Sequence, residues 1–150
     1  MKKNPIIYPD DQVGFMLSQA YLLKQRVTNF ALKDLDITYM QFVILSTIRI
    51  LQEEKGWITQ QTIADKRRLD KVTVSNTVKT LVQKGLIKRN HHPEDHRALV
   101  LRLTTRGMEL ATRSKEIVRS TDMKFFSSID SDQLRETLKR ILTDNDNNIY

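Results

Sequence analysis

The sequence of 150 residues contains no cysteine. This absence excludes disulfides, thiolate-bound zinc, iron–sulfur clusters, a cysteine nucleophile and a thiol redox switch. Glycine and proline are also scarce, with four and three residues, which argues against a loop-rich or many-stranded fold. No apolar run is long enough for a signal peptide or a membrane-spanning helix. We therefore expect a mainly helical, cytoplasmic protein that does not contact a membrane.

Enzyme motifs are missing as well. The sequence has no P-loop, dinucleotide-binding glycine motif, nucleophile elbow or metalloprotease motif. His92, Pro93 and Glu94 have the spacing of the zinc-deaminase H-x-E motif, but the cysteines that complete such a site are absent. We therefore predict that the chain is not an enzyme and uses no cofactor.

The excess of basic residues is confined to one third of the chain. The net charge is +7. Residues 59–107 hold eleven Lys and Arg against four Asp and Glu, whereas the remaining residues hold fourteen of each sign. An ordinary solvated surface does not normally separate charge in this way, but a surface that faces phosphates does. The distribution therefore predicts a polyanionic partner.

Two helices are predicted in the N-terminal part. Over residues 11–32, apolar side chains recur at helical spacing, and Asp10 or Asp11 is placed to cap that helix. A second helix begins after Thr38 as N-cap and runs to about Leu51. It is apolar on nearly all sides, which predicts a central, buried position. The stripe of the first helix consists of Met16, Ala20, Leu23, Val27 and Phe30.

The basic region predicts a helix-turn-helix followed by a hairpin. Thr59 caps a short helix from Gln60 to about Arg67, and Asp70 caps the next one. Gly85 is placed as a left-handed C-cap after that second helix. Two short strands joined by a basic, proline-containing turn follow, with alternate residues of the second strand on opposite faces. The second helix is expected to bury Val74, Val78, Leu81 and Val82, and the strand shows Leu99, Leu101 and Leu103 on one face and Ala98, Val100 and Arg102 on the other.

Two further helices complete the chain. Thr104 caps a long helix to about residue 126, and Asp130 opens a last helix as part of a capping box. The last helix is expected to bury Leu134, Leu138, Ile141 and Leu142. The predicted fold class is therefore mainly α with a small two- or three-stranded β wing.

The order of these elements and the local sequence resemble the MarR family of bacterial transcription regulators. Residues 69–89 are similar to that family's recognition helix and the strand after it. Asp95 and Arg97, with Leu103, Thr104 and Gly107, are similar to its wing signature. The resemblance covers roughly residues 15–142 and implies a winged helix-turn-helix with helical dimerisation regions. Its expected parts are an N-terminal arm and dimerisation helix (1–36), the DNA-binding domain (37–103) and the C-terminal dimerisation helices (104–150).

The turn of the helix-turn-helix departs from the family pattern. Arg67 and Arg68 stand where the family commonly has an apolar residue and a glycine, so we expect either the geometry or the contacts of the turn to differ. The resemblance further implies a homodimer that reads a pseudo-palindromic operator in double-stranded DNA. Repression that is relieved by a small, aromatic or phenolic effector is the expected mode of regulation.

Two groups of residues are the candidate functional sites. In the wing, Arg97 can enter a narrow minor groove, and Asp95 is placed to orient it through a salt bridge. Tyr21, Met40, Phe42 and Trp57 are candidates for an effector pocket, although such residues are more often ordinary core. The candidate DNA contacts are Thr59, Gln60, Arg68, Lys71, Thr73, Ser75, Asn76, Lys79, Thr80, Arg89, His92, Asp95 and Arg97.

Alternatives stay open for parts of this interpretation. His91, His92 and His96, with Glu94 and Asp95, could bind zinc weakly, but ligands this close in one loop seldom form a closed site. We therefore predict no metal site and assign these histidines to contacts with DNA or water. The alternative function is a basic nucleic-acid or protein-interaction module without ligand-controlled regulation.

Overall fold

The computed structural model describes residues 12–54 and 56–146. Within them the chain forms six α-helices, a single 3₁₀ turn and one antiparallel hairpin. None of the helices in this part of the chain is long and apolar enough to cross a membrane. The bounds are α1 Val13–Leu32, the 3₁₀ turn Lys33–Leu35, α2 Tyr39–Glu53, α3 Gln60–Arg67, α4 Lys71–Gln83, β1 Ile87–His91, β2 Leu99–Leu103, α5 Thr105–Phe125 and α6 Ser131–Asn145.

Helix α2 is the centre of the molecule, as predicted. It packs against α1, α3, α4, α5 and β2. Ile44, Leu45 and Ile48 are fully buried in the core. The helix begins with a capping box: the Thr38 hydroxyl accepts from the backbone amide of Gln41, and the side-chain oxygen of Gln41 accepts from the backbone amide of Thr38. These two bonds satisfy amides that the first turn leaves without helical partners.

The turn between α3 and α4 contains one residue in the left-handed conformation, and that residue is an arginine. Arg68 ends α3 with φ 53° and ψ 40°. This is the region that glycine adopts without strain and other residues adopt at some cost. Arg68 therefore adopts at this turn the left-handed conformation for which glycine is the usual residue. Gly85, with φ 72°, ends α4 in the left-handed conformation that the sequence predicted.

Glycine at position 107 permits the wing and α5 to approach closely. A Cβ added there would lie 2.0 Å from the backbone oxygen of Leu86. That same oxygen accepts a hydrogen bond from the Thr104 amide, and the Thr104 hydroxyl donates to the Gly85 carbonyl. These two hydrogen bonds thus join the N-terminus of α5 to the segment between α4 and β1, where the wing begins.

The predicted burial of the α6 residues is wrong for the single chain, since α6 has no buried residue. The apolar stripe of α1, which was assigned to the dimerisation region, is also largely exposed, with Phe30 70% accessible. Among the described residues, α1 packs against α2 and α5 but leaves Met16, Leu23 and Phe30 exposed, and no element packs extensively against α6. Ile50 of α2 is also exposed, Val82 is only half-buried, and Val100 is buried although it lies on the opposite strand face to Leu101.

The N-terminal caps differ from the predictions in detail. Helix α1 begins at Val13 after Gln12, which makes no side-chain capping bond. Asp10 and Asp11, which the sequence suggested as caps, lie outside the described residues. Asp130 does cap α6, accepting from the amides of Asp132 and Gln133, but the reciprocal bond of a capping box is not formed.

We predict that Gly107→Ala destabilises the protein by about 1–3 kcal/mol, because the new methyl group meets a backbone atom that cannot rotate away. Thr112→Ala in the same helix is the matched control. Thr112 is exposed, and alanine has the higher helix propensity, so this change is expected to be neutral or slightly stabilising. Urea unfolding followed by circular dichroism measures both; equal stabilities of the two variants contradict the close approach.

Candidate nucleic-acid interface

The second helix of the helix-turn-helix starts at a tightly bonded cap. Oδ1 of Asp70 accepts from the Thr73 amide at 2.8 Å, and Oδ2 accepts from the Thr73 hydroxyl at 2.6 Å. These bonds, the hydroxyl first and the backbone amide second, lower the pKa of the Asp70 carboxyl from its ordinary value. The cap therefore carries a negative charge at neutral pH and fixes the first turn of α4.

The outer face of α4 is polar, as predicted, but its members are not equally free. Ser75, Asn76, Lys71 and Lys79 are exposed. Thr73 is half-buried and its hydroxyl hydrogen is donated to Asp70, so the hydroxyl can only accept a further hydrogen bond. The Thr80 hydroxyl likewise donates to the backbone oxygen of Asn76. The exposed side chains of this face whose donors are unused are therefore Ser75, Asn76, Lys71 and Lys79.

Some residues of α3 and of the turn after it, which the sequence predicted to contact DNA, have structural roles in the fold. Thr59 caps α3 by accepting from the Thr62 amide, and Gln60 beside it is half-buried. Nε of Arg68 donates to Oδ1 of Asp146 at the end of α6, at 2.8 Å. Arg68 is therefore partly committed to an ion pair, although its side chain stays accessible.

The wing is an antiparallel hairpin in which β1 pairs with β2 from Ile87 opposite Leu103 to His91 opposite Leu99. Arg89 is exposed on β1, and Arg97 is exposed in the connecting turn. The expected salt bridge between Asp95 and Arg97 is not formed. Instead, Oδ1 of Asp95 accepts from the backbone amide of Arg97 at 3.0 Å, because a side chain this short reaches the amide two residues on. Asp95 shapes the turn and leaves the guanidinium of Arg97 free.

His92 is half-buried and is the first residue of the turn that joins β1 to β2. Its Nδ1 accepts from the amides of Glu94 and Asp95, and its ring packs edge-on against Trp57. The histidines are not gathered around a common point. Within residues 12–54 and 56–146, no three His, Asp or Glu side chains are placed to hold a metal ion.

Sequence reasoning missed three residues of this surface. Val72, in the first turn of α4, is 69% accessible, and its position outside the Val74/Val78 stripe was the available signal. Lys88 and Arg102 lie directly opposite each other across the hairpin, and both are exposed. Like charges in that position repel, and neither side chain forms an ion pair with a described residue. A bound anion such as a phosphate would relieve this repulsion.

A cavity of about 700 Å³ lies between α1, α2 and α5 and reaches the turn after α3. Tyr21, Met40 and Phe42 line it, as the sequence suggested, whereas Trp57 does not and packs under the wing. Five basic residues and two acidic ones complete the wall, which the sequence did not reveal because they come from four different helices. They are Lys24, Arg49, Arg67, Lys115 and Arg119, with Glu53 and Asp122.

The basic residues of the cavity differ in how far they are already engaged. Lys24 pairs with Asp122 at 3.1 Å and lies over the ring of Tyr39. Arg67 donates to the Thr47 hydroxyl at 2.6 Å, and Arg119 pairs with Glu116. Arg49 and Lys115 form no ion pair with any described residue. Arg67 has no acidic partner among the described residues either, but its Nε is already hydrogen-bonded, so Arg49 and Lys115 are the cations with neither kind of partner.

This chain is similar to known proteins in sequence and in fold. Residues 35–98 match the model of the MarR family. The chain is 35% identical over 120 residues to YdcH of Bacillus subtilis, an uncharacterized HTH-type transcriptional regulator, covering 80% of this chain and 82% of YdcH. It is 31% identical over 132 residues to the HTH-type transcriptional regulator SarZ of Staphylococcus saprophyticus, covering 85% and 84%.

Among solved structures, a mutant of E. coli MarR complexed with operator DNA is similar to this fold. The TM-score is 0.79 at 25% identity, over 91% of this chain and 99% of that one. The similarity thus extends from the helix-turn-helix to the helices on either side. The chain belongs to the MarR family of winged helix-turn-helix transcriptional regulators.

We predict that Asp70→Ala lowers the midpoint of thermal unfolding by a few degrees at neutral pH, because it removes the cap of α4. The pKa of this carboxyl is lowered by folding, so its stabilisation is present above the unfolded value near ~3.9 and is lost as the pH falls through the folded value. Asp70→Asn keeps an acceptor and should lose less stability at pH 7. A scan of melting temperature from pH 7 to about pH 3 should show a steeper loss for the wild type than for either variant; parallel curves contradict the assignment.

Proposed function

We propose that the chain is a homodimeric, sequence-specific regulator that binds double-stranded DNA and acts as a repressor released by a small effector. The observation that carries the DNA-binding part is the location of the charge. The whole net excess of +7 lies in residues 59–107, which form the helix-turn-helix and wing, and the exposed cations there lack acidic partners at Lys71, Lys79, Lys88, Arg97 and Arg102.

Each part of the surface has a proposed role in the complex. Asn76 and Ser75 on α4 are the candidates for base edges in the major groove, with the methyl groups of Val72 and Thr73 available to thymine. Lys71 and Lys79 flank them and suit phosphates, which fix the register without reading sequence. Arg97 at the tip of the wing suits the adjacent minor groove.

Homodimerisation is supported by the two uncovered apolar stripes. Phe30 and Leu23 of α1, and Ile141 and Leu142 of α6, are exposed in the single chain. A second copy would bury them, and residues 1–36 and 104–150 would then form the dimerisation region. Two recognition helices related by a two-fold axis read half-sites about one turn apart, on the order of 34 Å.

We predict that Arg97→Ala weakens binding by roughly ten- to a hundredfold and lowers the salt dependence by about one counterion. The duplex is one selected from random double-stranded DNA by the wild type, and binding is measured by fluorescence anisotropy at several salt concentrations. Arg140→Ala removes the same charge from an exposed position on α6 and should bind as the wild type does.

Sedimentation velocity checks that both variants retain the assembly state of the wild type. Equal affinities of the two variants contradict the wing contact. If the wild type binds no duplex or binds with no dependence on salt, the proposed function itself is wrong.

The effector part of the proposal rests on the cavity between α1, α2 and α5. Its wall combines the rings of Tyr21, Tyr39 and Phe42 with the unpaired cations Arg49 and Lys115. Apolar rings with a few convergent charged groups are typical of small-molecule sites. This combination suits a small aromatic anion, which would stack on the rings and neutralise the cations.

We predict that benzoate binds this cavity and that Arg49→Gln and Lys115→Gln each weaken it about tenfold, because each removes one charge from the anion's surroundings. Benzyl alcohol, which has the same ring without the charge, should be insensitive to both changes. Isothermal titration calorimetry measures both probes, with Arg140→Gln as the charge-matched control. If neither probe binds, the alternative of a DNA-binding or interaction module without ligand control is favoured.

A further inference from the structure

The wing turn is organised by a histidine side chain. Nδ1 of His92 accepts from the backbone amide of Glu94 at 3.0 Å and from that of Asp95 at 3.2 Å. Pro93 lies between and has no amide hydrogen to offer. An acceptor nitrogen carries no proton, so the two bonds require the neutral ring with its hydrogen on Nε2.

These bonds are the first step of a short chain of contacts that ends at Arg97. The Asp95 backbone oxygen accepts from the Ala98 amide at 3.0 Å, and Oδ1 of Asp95 accepts from the Arg97 amide at 3.0 Å. The His92 amide closes the turn by donating to the Ala98 oxygen at 2.9 Å. Fixing Asp95 therefore fixes the backbone from which the Arg97 guanidinium projects.

The histidine ring is itself held in place from below. Its centroid lies 5.0 Å from that of Trp57, with the rings at 65°. Trp57 immediately precedes Ile58, whose carbonyl accepts from the Leu101 amide at 2.8 Å. The ring of His92 thus connects the turn of the wing to the segment that leads into α3.

We propose that His92 is a positioning residue for Arg97, and that protonation of its Nδ1 releases the wing turn and weakens DNA binding in acid. The proposal rests on the DNA contact of the wing in the function proposed above. A protonated Nδ1 is a donor, so it faces two amide donors and cannot bond to either. The turn then loses the acceptor that orders Glu94 and Asp95.

The groups around the His92 ring bear on whether its protonation weakens or strengthens DNA binding. Trp57, which packs against it, does not titrate, and no described residue forms an ion pair with His92. The charged and titratable residues adjoining it in the turn of its own hairpin are His91, Glu94, Asp95, His96 and Arg97. Added positive charge on a wing would by itself strengthen binding to DNA. Release of the turn has the opposite sign, which separates the two effects.

Two substitutions distinguish the acceptor from the rest of the side chain. In His92→Asn, the amide oxygen occupies about the place of Nδ1 and accepts from the same amides, but it does not titrate. In His92→Gln, the oxygen is one bond farther out, so the acceptor is displaced. Both variants keep a polar, uncharged side chain at this half-buried position.

The affinity for the selected duplex is measured for wild type and both variants from about pH 7.5 to about pH 5.5. At the upper pH, His92→Asn should bind within about twofold of the wild type and His92→Gln about tenfold more weakly. On acidification the wild type should weaken by about tenfold relative to His92→Asn, which retains His91 and His96. If His92→Asn follows the wild type at every pH, or binds as weakly as His92→Gln at the upper pH, the proposal is overturned.

A second readout does not depend on DNA. Trp57 is the only tryptophan in the chain, and a protonated imidazole quenches the emission of an adjacent indole. The fluorescence of the free wild type should therefore fall on acidification, and that of His92→Asn should not. A titrating fluorescence without any DNA binding contradicts the proposed function alone, whereas a fluorescence unaffected by the Asn substitution contradicts the His92 proposal.

Discussion

The burial of α2 is the constraint on which the other elements depend. Five elements pack against this one helix, and its fully buried residues lie at the centre of the core. Because its apolar residues face several directions, α1, α3, α4, α5 and β2 share this helix as a common support. The helix-turn-helix and the hairpin pack against α2, and α2 also lines the cavity, so both depend on how this helix is buried.

The helix-turn-helix was predictable from sequence because its signals are local. Thr38, Thr59, Asp70 and Thr104 were each expected as N-caps, and each accepts the backbone amide that defines such a cap. Caps depend on residues within three positions of each other, so tertiary context seldom overrides them. The hairpin was predictable for a similar reason, because the alternating residue pattern of its strand and its proline-containing turn are adjacent in the sequence.

The errors arise where a competing contact, or a surface distant in the sequence, decides the outcome. Burial of the α6 residues was expected from periodicity, but periodicity only says that a face is apolar, and another surface decides whether it is covered. The Asp95–Arg97 salt bridge was inferred from spacing, whereas the Asp95 carboxylate bonds to the nearer backbone amide. Of the cavity, the aromatic wall was expected at Tyr21, Met40 and Phe42. Its cations converge from separate helices, and no spacing along the chain could reveal that.

The turn between α3 and α4 lies next to both the cavity and the start of α4. Arg67 and Leu69 both line the cavity, and Arg68 between them is the left-handed residue from which α4 departs. The Arg67 guanidinium is held by the Thr47 hydroxyl of α2. In the function proposed above, an anionic effector that attracts the Arg67 guanidinium would compete with the Thr47 hydroxyl for it, next to the left-handed residue at which the chain bends. Residues 67–69 thus adjoin both the cavity, through Arg67 and Leu69, and the start of α4.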